Sequence, residues 1–460
     1  MFQNNFTVMK RIFIFFFITT CCLTGGLAQQ QITPETALEH YLNNDDPTWG
    51  WEIREVYELE NAKAYSLLFI SQKWQGILWK HELIVFVPEE VKKDGALLFI
   101  SGGSVKEGIP RFSNPDDETS FYLAALANRN NALVCILKQV PNQPLYGGLT
   151  EDALISYTLN EFRKDNDYSW PLLFPMTKSA QKAMDAIQEF ADGQLNQKIN
   201  RFLISGASKR GWTTWLTGAT QDERVVAIAP MVIDMLNMPA TLDYQKQLYG
   251  AYSDQIQDYV DLEIPQAIHS EFGSAAVQMI DPYAYREKLT MPKLIIMGTN
   301  DQYWTLDAVK HYINDIPGNN LLHYVPNAGH SLGDKTKAFG ALGAFFSLML
   351  QNADYPHYDY KLSEKRRNIE LQIETSSDDL IGAELWSATS GSRDFREAEW
   401  TKKDISLPAK NNTPVNVRLN YPKKDFQAFY VDLIYKDPNG DEYTVSTRTY
   451  VSDNKKVFVQ

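Results

Sequence analysis

The stretch RFLISGASKRGW, residues 201–212, decides the fold prediction. Its apolar start is typical of a buried strand, and residues 212–219 after the turn have a helical pattern. Ser208 lies at the turn, where a strand-to-helix elbow holds a serine hydroxyl out above a sheet. So tight an elbow needs small neighbours, and Gly206 and Gly211 supply them. We therefore predict that Ser208 is a nucleophile.

The same motif departs from the usual pattern Gly-x-Ser-x-Gly. Arg210 takes the place of the last glycine, and Gly211 follows it. By itself the stretch is therefore also explained by a structural turn in which Ser208 caps the next helix. The choice between the two interpretations depends on what the other strand ends of the chain carry.

Two later strand ends carry the partners that a serine nucleophile needs. One apolar run leads through the turn GTND to Asp301, and the next leads through NAGH to His330. Serine, acid and histidine in this order are typical of a hydrolase triad. His330 would take the proton from Ser208, and Asp301 would fix the tautomer of the imidazole and stabilise its charged form. Asp234 and Asp307 are alternative acids, and Asp301 is preferred because it follows the turn directly.

Short apolar runs alternate with helical patterns along the middle of the chain. The runs lie at residues 96–100, 132–137, 201–204, 225–233, 293–297 and 321–325. Buried strands that alternate with helices imply a parallel sheet covered on both faces. We therefore predict an α/β protein with an α/β-hydrolase fold and a mostly parallel sheet over residues 29–355. The helical, aromatic-rich segment 239–280 is predicted to be a lid.

The pattern changes after about residue 355. Residues 369–374 and 415–419 alternate strictly between apolar and polar side chains, and DPNGD at 437–441 is typical of a hairpin turn. Helix signals are absent from this part of the sequence. Residues 356–460 are therefore predicted to form a small β-sandwich domain.

Two backbone N–H groups are candidates for an oxyanion hole. The first belongs to Lys209, directly after Ser208. The second belongs to Gly103 in the loop SGGS at 101–104, where glycine allows a close approach, although a tight turn without a catalytic role explains these residues equally well. Weaker signals mark four candidate substrate contacts, Gly102, Ser104, Tyr146 and Arg210. Arg210 is equally consistent with a buried structural ion pair.

The N-terminus has the features of an export signal. Basic residues precede the apolar run at 12–18, and small residues follow up to Ala28, which is typical of a secretory signal peptide. The run is too short to span a bilayer. We predict that residues 1–28 are removed, with Met1 or Met9 as the start of translation. The mature protein would be secreted or periplasmic, with no stable membrane span.

Cysteine usage agrees with this processing. Cys21 and Cys22 lie inside the signal, and the residues before them fit a lipid-attachment motif poorly, so no lipoprotein anchor is predicted. Cleavage leaves Cys135 alone, which excludes an intrachain disulfide framework. Because Cys135 lies in an apolar run, it is predicted to be a buried strand residue rather than a nucleophile.

Composition excludes several classes of function. The 460-residue chain is 44% hydrophobic and 22% charged, as globular proteins are, and its length suggests two domains. The net charge of -13 argues against a nucleic-acid partner, which needs a basic face. The seven histidines are scattered, and no metal-ligand pair or phosphate-binding glycine loop occurs. We therefore predict no metal and no cofactor.

Several motifs of the chain resemble those of one family. They are EDALISYT at 151–158, WP at 170–171, PMTK at 175–178, GASKRGW at 206–212, GTND at 298–301 and NAGH at 327–330. At these motifs the chain resembles the PhoPQ-activated pathogenicity-related family, and the resemblance extends over nearly the whole mature chain, to DFR at 394–396 and Trp400. It implies a secreted α/β-hydrolase whose substrate is undefined. The Ser-Lys-Arg-Gly elbow is also similar to that of glucuronoyl esterases, which implies a carbohydrate ester.

Two functional hypotheses follow from the residues. The first is a secreted serine hydrolase that cleaves an ester or peptide bond through an acyl-enzyme, acting on a small molecule, a carbohydrate ester or a peptide. The second is a signalling or binding protein on a hydrolase scaffold, with the β-rich C-terminal part as its contact surface.

Overall fold

The computed structural model describes residues 31–115, 117–375, 380–407 and 414–459. The predicted signal peptide at residues 1–28 lies outside the described residues, and so do the two cysteines within it. Cys135 lies inside them, buried and free in a strand as predicted.

The described residues form strands between Gly50 and Ser452. Those of the first part are β1 (Gly50–Leu59), β2 (Ala62–Trp74), β3 (Ile77–Pro88), β4 (Gly95–Ile100), β5 (Val105–Lys106), β6 (Ile109–Pro110), β7 (Leu133–Leu137), β8 (Arg201–Ala207), β9 (Val225–Met231), β10 (Lys293–Gly298) and β11 (Asn320–Val325). Those of the C-terminal part are β12 (Tyr358–Glu364), β13 (Asn368–Thr375), β14 (Leu380–Ser390), β15 (Thr401–Ile405), β16 (Val415–Asn420), β17 (Phe426–Lys436), β18 (Glu442–Ser446) and β19 (Tyr450–Ser452).

Helices alternate with the strands of the first part. They are α1 (Pro34–Leu42), α2 (Glu118–Asn130), α3 (Glu151–Asp165), α4 (Leu173–Leu195), α5 (Lys209–Ala219), α6 (Met238–Tyr249), α7 (Gln257–Val260), α8 (Glu271–Ile280) and α9 (Thr336–Gln351). Short 3-10 helices occur at Asp254–Ile256, Pro282–Lys288, Ala308–His311 and Ile313–Asp315.

A mixed 14-stranded sheet runs through the molecule in the order β1-β2-β3-β7-β4-β8-β9-β10-β11-β18-β17-β14-β15, with β19 beside β17. The six strands from β7 to β11 in this order are parallel. Every residue of β4 and β10 is buried, because α2 and α9 pack together on the sheet, as do α4 and α5. This is an α/β-hydrolase fold, and the predicted fold class is confirmed.

The C-terminal strands extend the main sheet instead of standing apart from it. β18 pairs with β11, and β17, β14 and β15 follow in order. The alternating segments β13 and β16 pair with each other in a separate three-stranded sheet with β12. Their apolar faces belong to the same hydrophobic core as α9. The predicted boundary after residue 355 therefore falls between segments that share a sheet and a core.

The segment after β9 carries the helices that the sequence predicts as a lid. α6, α7 and α8 follow one another between β9 and β10, with a small apolar cluster of Leu242, Ile256 and Ile268. Because parallel strands of such a sheet end at the same edge, this insertion lies at the edge where β8 and β10 end.

Candidate active site

Ser208 is the single residue between the end of β8 and the start of α5, and its backbone conformation is strained. Its backbone angles are φ 60 and ψ -128, a region that residues with a side chain rarely occupy. The Ser208 N–H donates to the carbonyl oxygen of Met231 at 2.9 Å, which fixes the turn to β9. Strain of this kind is typical of a nucleophile elbow, since it holds the hydroxyl away from the helix that follows.

The glycines of the elbow are required by close backbone contacts. A Cβ on Gly206 would lie 2.9 Å from the carbonyl oxygen of Ile100, and one on Gly211 would lie 2.7 Å from that of Met231. The position that has to be glycine after Ser208 is therefore residue 211.

The three predicted triad residues form one hydrogen-bonded chain. His330 Nδ1 lies 2.9 Å from Asp301 Oδ2 and 3.1 Å from Oδ1, and His330 Nε2 lies 2.9 Å from Ser208 Oγ. Because a carboxylate only accepts hydrogen bonds, Nδ1 carries the ring proton and Nε2 accepts from the serine hydroxyl. This is the arrangement in which an imidazole can remove the serine proton.

Both partners of Ser208 are held in place by their neighbours. Asp301 is 8% exposed, and its Oδ1 also accepts the N–H of Tyr303 at 2.8 Å. The ring of Tyr303 stacks on that of His330, with centroids 4.0 Å apart. The backbone N–H of His330 donates to Gln302 Oε1 at 3.2 Å. These contacts fix the orientation of the imidazole ring.

The alternative acids contact other groups. Asp234 accepts the hydroxyl of Tyr312 at 2.7 Å, and burial raises the pKa of its carboxyl to about 8. Asp307 accepts the hydroxyl of Tyr244 at 2.9 Å and forms an ion pair with Lys310 at 2.9 Å. Among the described carboxylates, Asp301 is the one that bonds His330.

The two basic residues after Ser208 are occupied by acidic partners. Arg210 donates to both carboxylate oxygens of Glu151, at 2.7 and 2.6 Å, and Lys209 Nζ lies 2.9 Å from Glu151 and 3.1 Å from Asp152. Burial by itself raises the pKa of Glu151, but the two cations outweigh it and lower that pKa to about 2. Arg210 therefore forms an ion pair, which is the structural interpretation that the sequence allowed beside a substrate contact.

The loop after β4 lies against this ion pair. A Cβ on Gly102 would lie 2.7 Å from Arg210 Nη2, and one on Gly103 would lie 2.9 Å from Gln139 Nε2. Gly103 has a φ of 143, and its carbonyl accepts Nε2 of Gln143 at 3.2 Å. The loop is thus anchored beside the elbow. An oxyanion role for the N–H groups of Gly103 and Lys209 stays a prediction.

Ser208 lines a pocket under the lid, and the pocket together with the open solvent at its mouth has an empty volume of about 670 Å³. Its walls come from the start of α3, the elbow with α5, the lid, and the segments after β9 and β10. The lining residues are Asp152, Ser208, Lys209, Trp212, Ile233, Met235, Met238, Thr241, Leu242, Ile256, Tyr259, Ile264, Pro265, Ile268, Tyr303 and Trp304. The sequence predicted a lid but none of its individual pocket residues. Helical periodicity marks which lid residues are apolar, not which of them face Ser208.

The weaker candidate contacts lie elsewhere. Tyr146 stacks on Tyr157 at 4.9 Å and packs edge-on against Trp74 at 6.2 Å. Neither Tyr146 nor Gly102, Ser104 and Arg210 is among the described residues that line the pocket. A substrate role for these four residues stays a prediction.

Comparison with known proteins places the chain in a family. A family model described as PhoPQ-activated pathogenicity-related protein matches residues 38–396. The chain belongs to this family. A curated relative, the autocrine proliferation repressor protein A of Dictyostelium discoideum, is 28% identical over 91% of this chain and 90% of its own length.

Solved structures similar to this member of the PhoPQ-activated pathogenicity-related family include two esterases. Acetyl xylan esterase 1 from Thermoanaerobacterium sp. JW/SL YS485 covers 69% of this chain and 93% of its own, with 19% identity and a TM-score of 0.47. An S-formylglutathione hydrolase from Agrobacterium tumefaciens covers 66% and 100%, with 11% identity and a TM-score of 0.43. At these identities the similarity assigns no role to individual residues of this family member.

Within the described ranges, no three histidine, cysteine, aspartate or glutamate side chains are grouped so that they could hold a metal ion. No helix in that part of the chain is both long and apolar enough to cross a membrane.

Proposed function

We propose that this protein is a serine hydrolase that cleaves carboxylic esters, with Ser208 as nucleophile, His330 as base and Asp301 as the acid that orients it. The observation that carries the proposal is the continuous hydrogen-bonded chain from Ser208 Oγ through His330 to Asp301 at a strained elbow. A structural ion pair between Asp301 and His330, or a helix cap at Ser208, would not require both the hydrogen-bonded chain and the strained elbow.

The reaction follows from the geometry. Ser208 Oγ attacks the ester carbonyl while His330 Nε2 takes the hydroxyl proton, and the carbonyl oxygen becomes an oxyanion. The N–H of Lys209 in the first turn of α5, with that of Gly103, would stabilise this charge. The C–O bond then breaks as His330 returns the proton to the leaving alcohol. Water, deprotonated by His330, attacks the acyl-enzyme and releases the acid and Ser208.

The charges beside Ser208 favour an ester over the N-terminus of a peptide. Binding the free amino group at a peptide N-terminus needs an unpaired carboxylate. Among the described residues that line the pocket, Asp152 is the one with a carboxylate. Its carboxylate already bonds Lys209 at 3.1 Å and the Tyr259 hydroxyl at 3.1 Å. Ester cleavage needs no such group, because the leaving alcohol is neutral.

A fluorophosphonate tests the proposal directly. We expect the purified chain without residues 1–28 to react at once, with the added mass on the peptide that contains Ser208. A p-nitrophenyl ester should be hydrolysed much faster than the matched anilide. Heat-denatured protein is the control for nonspecific labelling. Folded protein that stays unlabelled, or carries the label on another residue, would contradict the proposal.

The signalling alternative is supported by the name of the Dictyostelium relative, an autocrine proliferation repressor. Such a role requires export, for which the predicted signal peptide at residues 1–28 is the support in this chain. We propose secretion for this reason. A signalling role is compatible with hydrolysis, and an intact triad is not needed for binding alone.

A further inference from the structure

The pocket beside Ser208 is built for an apolar group. The lid contributes Met238, Leu242 and Ile268 to its lining, and Trp212 of α5 and Trp304 after β10 also line it. These apolar side chains come from α5, the lid and the segment after β10, a wider surface than an acetyl group would cover. Burial of hydrocarbon against such walls is favourable by about 0.8 kcal/mol per methylene, roughly fourfold in an equilibrium or rate constant.

Several polar side chains in the walls are bonded inside the protein. The hydroxyl of Thr241 donates to Leu236 O at 2.8 Å, and that of Tyr259 donates to Asp152 at 3.1 Å. Lys209 is paired with Asp152. Thr241 and Tyr259 would have to give up these hydrogen bonds in order to donate to a sugar hydroxyl, at a cost in free energy. The pocket therefore favours a hydrocarbon chain over a carbohydrate.

We infer that the substrate is an ester with an apolar chain of several carbons on at least one side of the scissile bond. The inference rests on the proposed function, because it assigns the substrate class of the same Ser208 site.

Two ester series test this inference on the wild-type protein. One series varies the acyl chain in p-nitrophenyl esters from acetate to octanoate, and the other varies the alcohol in acetates from ethyl to hexyl. We expect kcat/KM to rise about fourfold per methylene in at least one series until the pocket is filled. If acetate is cleaved and both series stay flat, the substrate class is overturned while the proposed function stands.

A substitution in the pocket wall tests whether the chain-length preference comes from this pocket or from the hydrophobicity of the ester alone. Met238→Trp places a larger ring on a half-buried wall residue, so the longest favoured substrate should lose at least about tenfold in kcat/KM. The ratio of kcat/KM for that substrate to kcat/KM for the acetate should therefore fall, and an unchanged melting temperature reports a folded protein. Met291→Trp, the same change at a half-buried methionine outside the pocket lining, is the matched control. Equal losses for both chain lengths would overturn the assignment of the pocket.

A separate observation concerns residues 391–400, which we call the strap. The side chain of Asn300, next to Asp301, donates to three strap carbonyls, those of Phe395 at 3.3 Å, Arg396 at 3.1 Å and Ala398 at 2.7 Å. The loop that carries the catalytic acid is thus bonded to a segment nearly one hundred positions away in the chain.

The loop that carries His330 is bonded to the same strap. Asn327 Nδ2 donates to the carbonyl of Trp400 at 2.9 Å, and Asn327 Oδ1 accepts the N–H of Trp400 at 2.7 Å. The hydroxyl of Thr299 accepts the N–H of Asn327 at 2.9 Å and donates to Asn300 Oδ1 at 2.7 Å, which joins the two loops. The strap and Thr299 therefore fix the acid loop and the base loop relative to each other.

The strap itself is anchored on buried side chains and also holds the lid. Phe395 and Trp400 are buried. The guanidinium of Arg396 lies 4.2 Å from the ring centroid of Tyr249 in α6, and Arg393 donates to the hydroxyl of Tyr244 in the same helix. One segment thus contacts the lid and both triad loops.

We propose that Asn300 and Asn327 are positioning residues, which act through the strap to hold Asp301 and His330 in reach of Ser208. This proposal also rests on the proposed function. A small displacement of groups that must be aligned to react can cost up to about a hundredfold in rate.

Alanine variants at the two loops test the strap. Asn300→Ala and Asn327→Ala should each lower kcat by about 10- to 100-fold, with KM within about twofold. Here kcat is expressed per active site, and the active sites are counted in a separate sample by fluorophosphonate labelling of Ser208. Asn327 is exposed, so its replacement removes the Trp400 hydrogen bonds without opening the core. Its φ of 58 adds backbone strain in the alanine variant, which the melting temperature reports. Asn416→Ala, at an exposed C-terminal asparagine, is the control and should keep wild-type kcat. Melting temperatures measured alongside report any loss of fold.

The outcomes separate the two proposals. A merely structural role would lower the melting temperature and leave kcat per labelled Ser208 unchanged, and that result overturns the positioning role. A wild-type protein that neither hydrolyses esters nor reacts with the fluorophosphonate overturns the proposed function and the positioning role with it. Wild-type activity with a loss of kcat in both variants supports both.

Discussion

Replacing Ser208 by alanine is expected to lower kcat for ester hydrolysis by at least about 10⁴-fold. The change removes the atom that forms the acyl-enzyme, and removing the serine of a working triad costs losses of this size or larger. KM should change little, because the pocket walls are untouched and they bind substrate and transition state alike. The measurement is steady-state hydrolysis of the best p-nitrophenyl ester at matched protein concentration.

Ser205→Ala is the matched control for this variant. Ser205 lies three positions earlier in β8, is buried, and donates to Ala229 O at 2.7 Å, away from the pocket lining. Its replacement also removes one serine hydroxyl, but away from the pocket, so activity should stay within a few-fold of wild type. Retention of full activity in Ser208→Ala would refute the nucleophile, whatever the fold suggests.

The same variant also separates hydrolysis from signalling more cleanly than a truncation can. Deleting residues 356–460 removes β18, the neighbour of β11 in the main sheet, together with the strap that bonds Asn300 and Asn327. Such a truncation would damage a hydrolase and a binding protein alike. A signalling activity that survives Ser208→Ala, with hydrolysis lost, would assign signalling to another surface of the molecule.

The sequence predicts the core of the site because its signals are local. Ser208, Asp301 and His330 each follow a short apolar run, and the ends of parallel strands meet at one sheet edge. A parallel sheet thus converts three separated motifs into one cluster. The elbow glycines are equally local, since the close contacts of Gly206 and Gly211 arise within the turn and its neighbouring strands.

The strap and the C-terminal sheet could not be predicted in this way. The alternation in residues 415–419 predicts a strand with one buried face, but it does not say which sheet the strand joins. The bonds of Asn300 and Asn327 to the strap depend on tertiary approach between distant segments, and asparagine in a loop is equally typical of a turn. Long-range pairings of this kind leave no periodicity in the sequence.

Asp301→Asn is expected to lower kcat by about 10⁴-fold near neutral pH. An amide at this position can donate a hydrogen bond to His330 Nδ1, which moves the ring proton to Nε2. In the unchanged protein Nε2 accepts from Ser208 Oγ at 2.9 Å. In the variant Nε2 would carry a proton and could not act as base. The folded structure should persist, because the amide and carboxylate have the same shape. Hydrolysis rates and melting temperature check the two expectations.

Asp234→Asn is the control that decides between the two acids of neighbouring strands. Burial raises the pKa of Asp234 to about 8, so its carboxyl is mostly protonated at pH 7 and the amide resembles that neutral form. Its partner is Tyr312, whose hydroxyl lies 2.7 Å away, and not His330. Activity within about threefold of wild type is therefore expected. A large loss in Asp234→Asn with a small one in Asp301→Asn would transfer the role of the acid from β10 to β9.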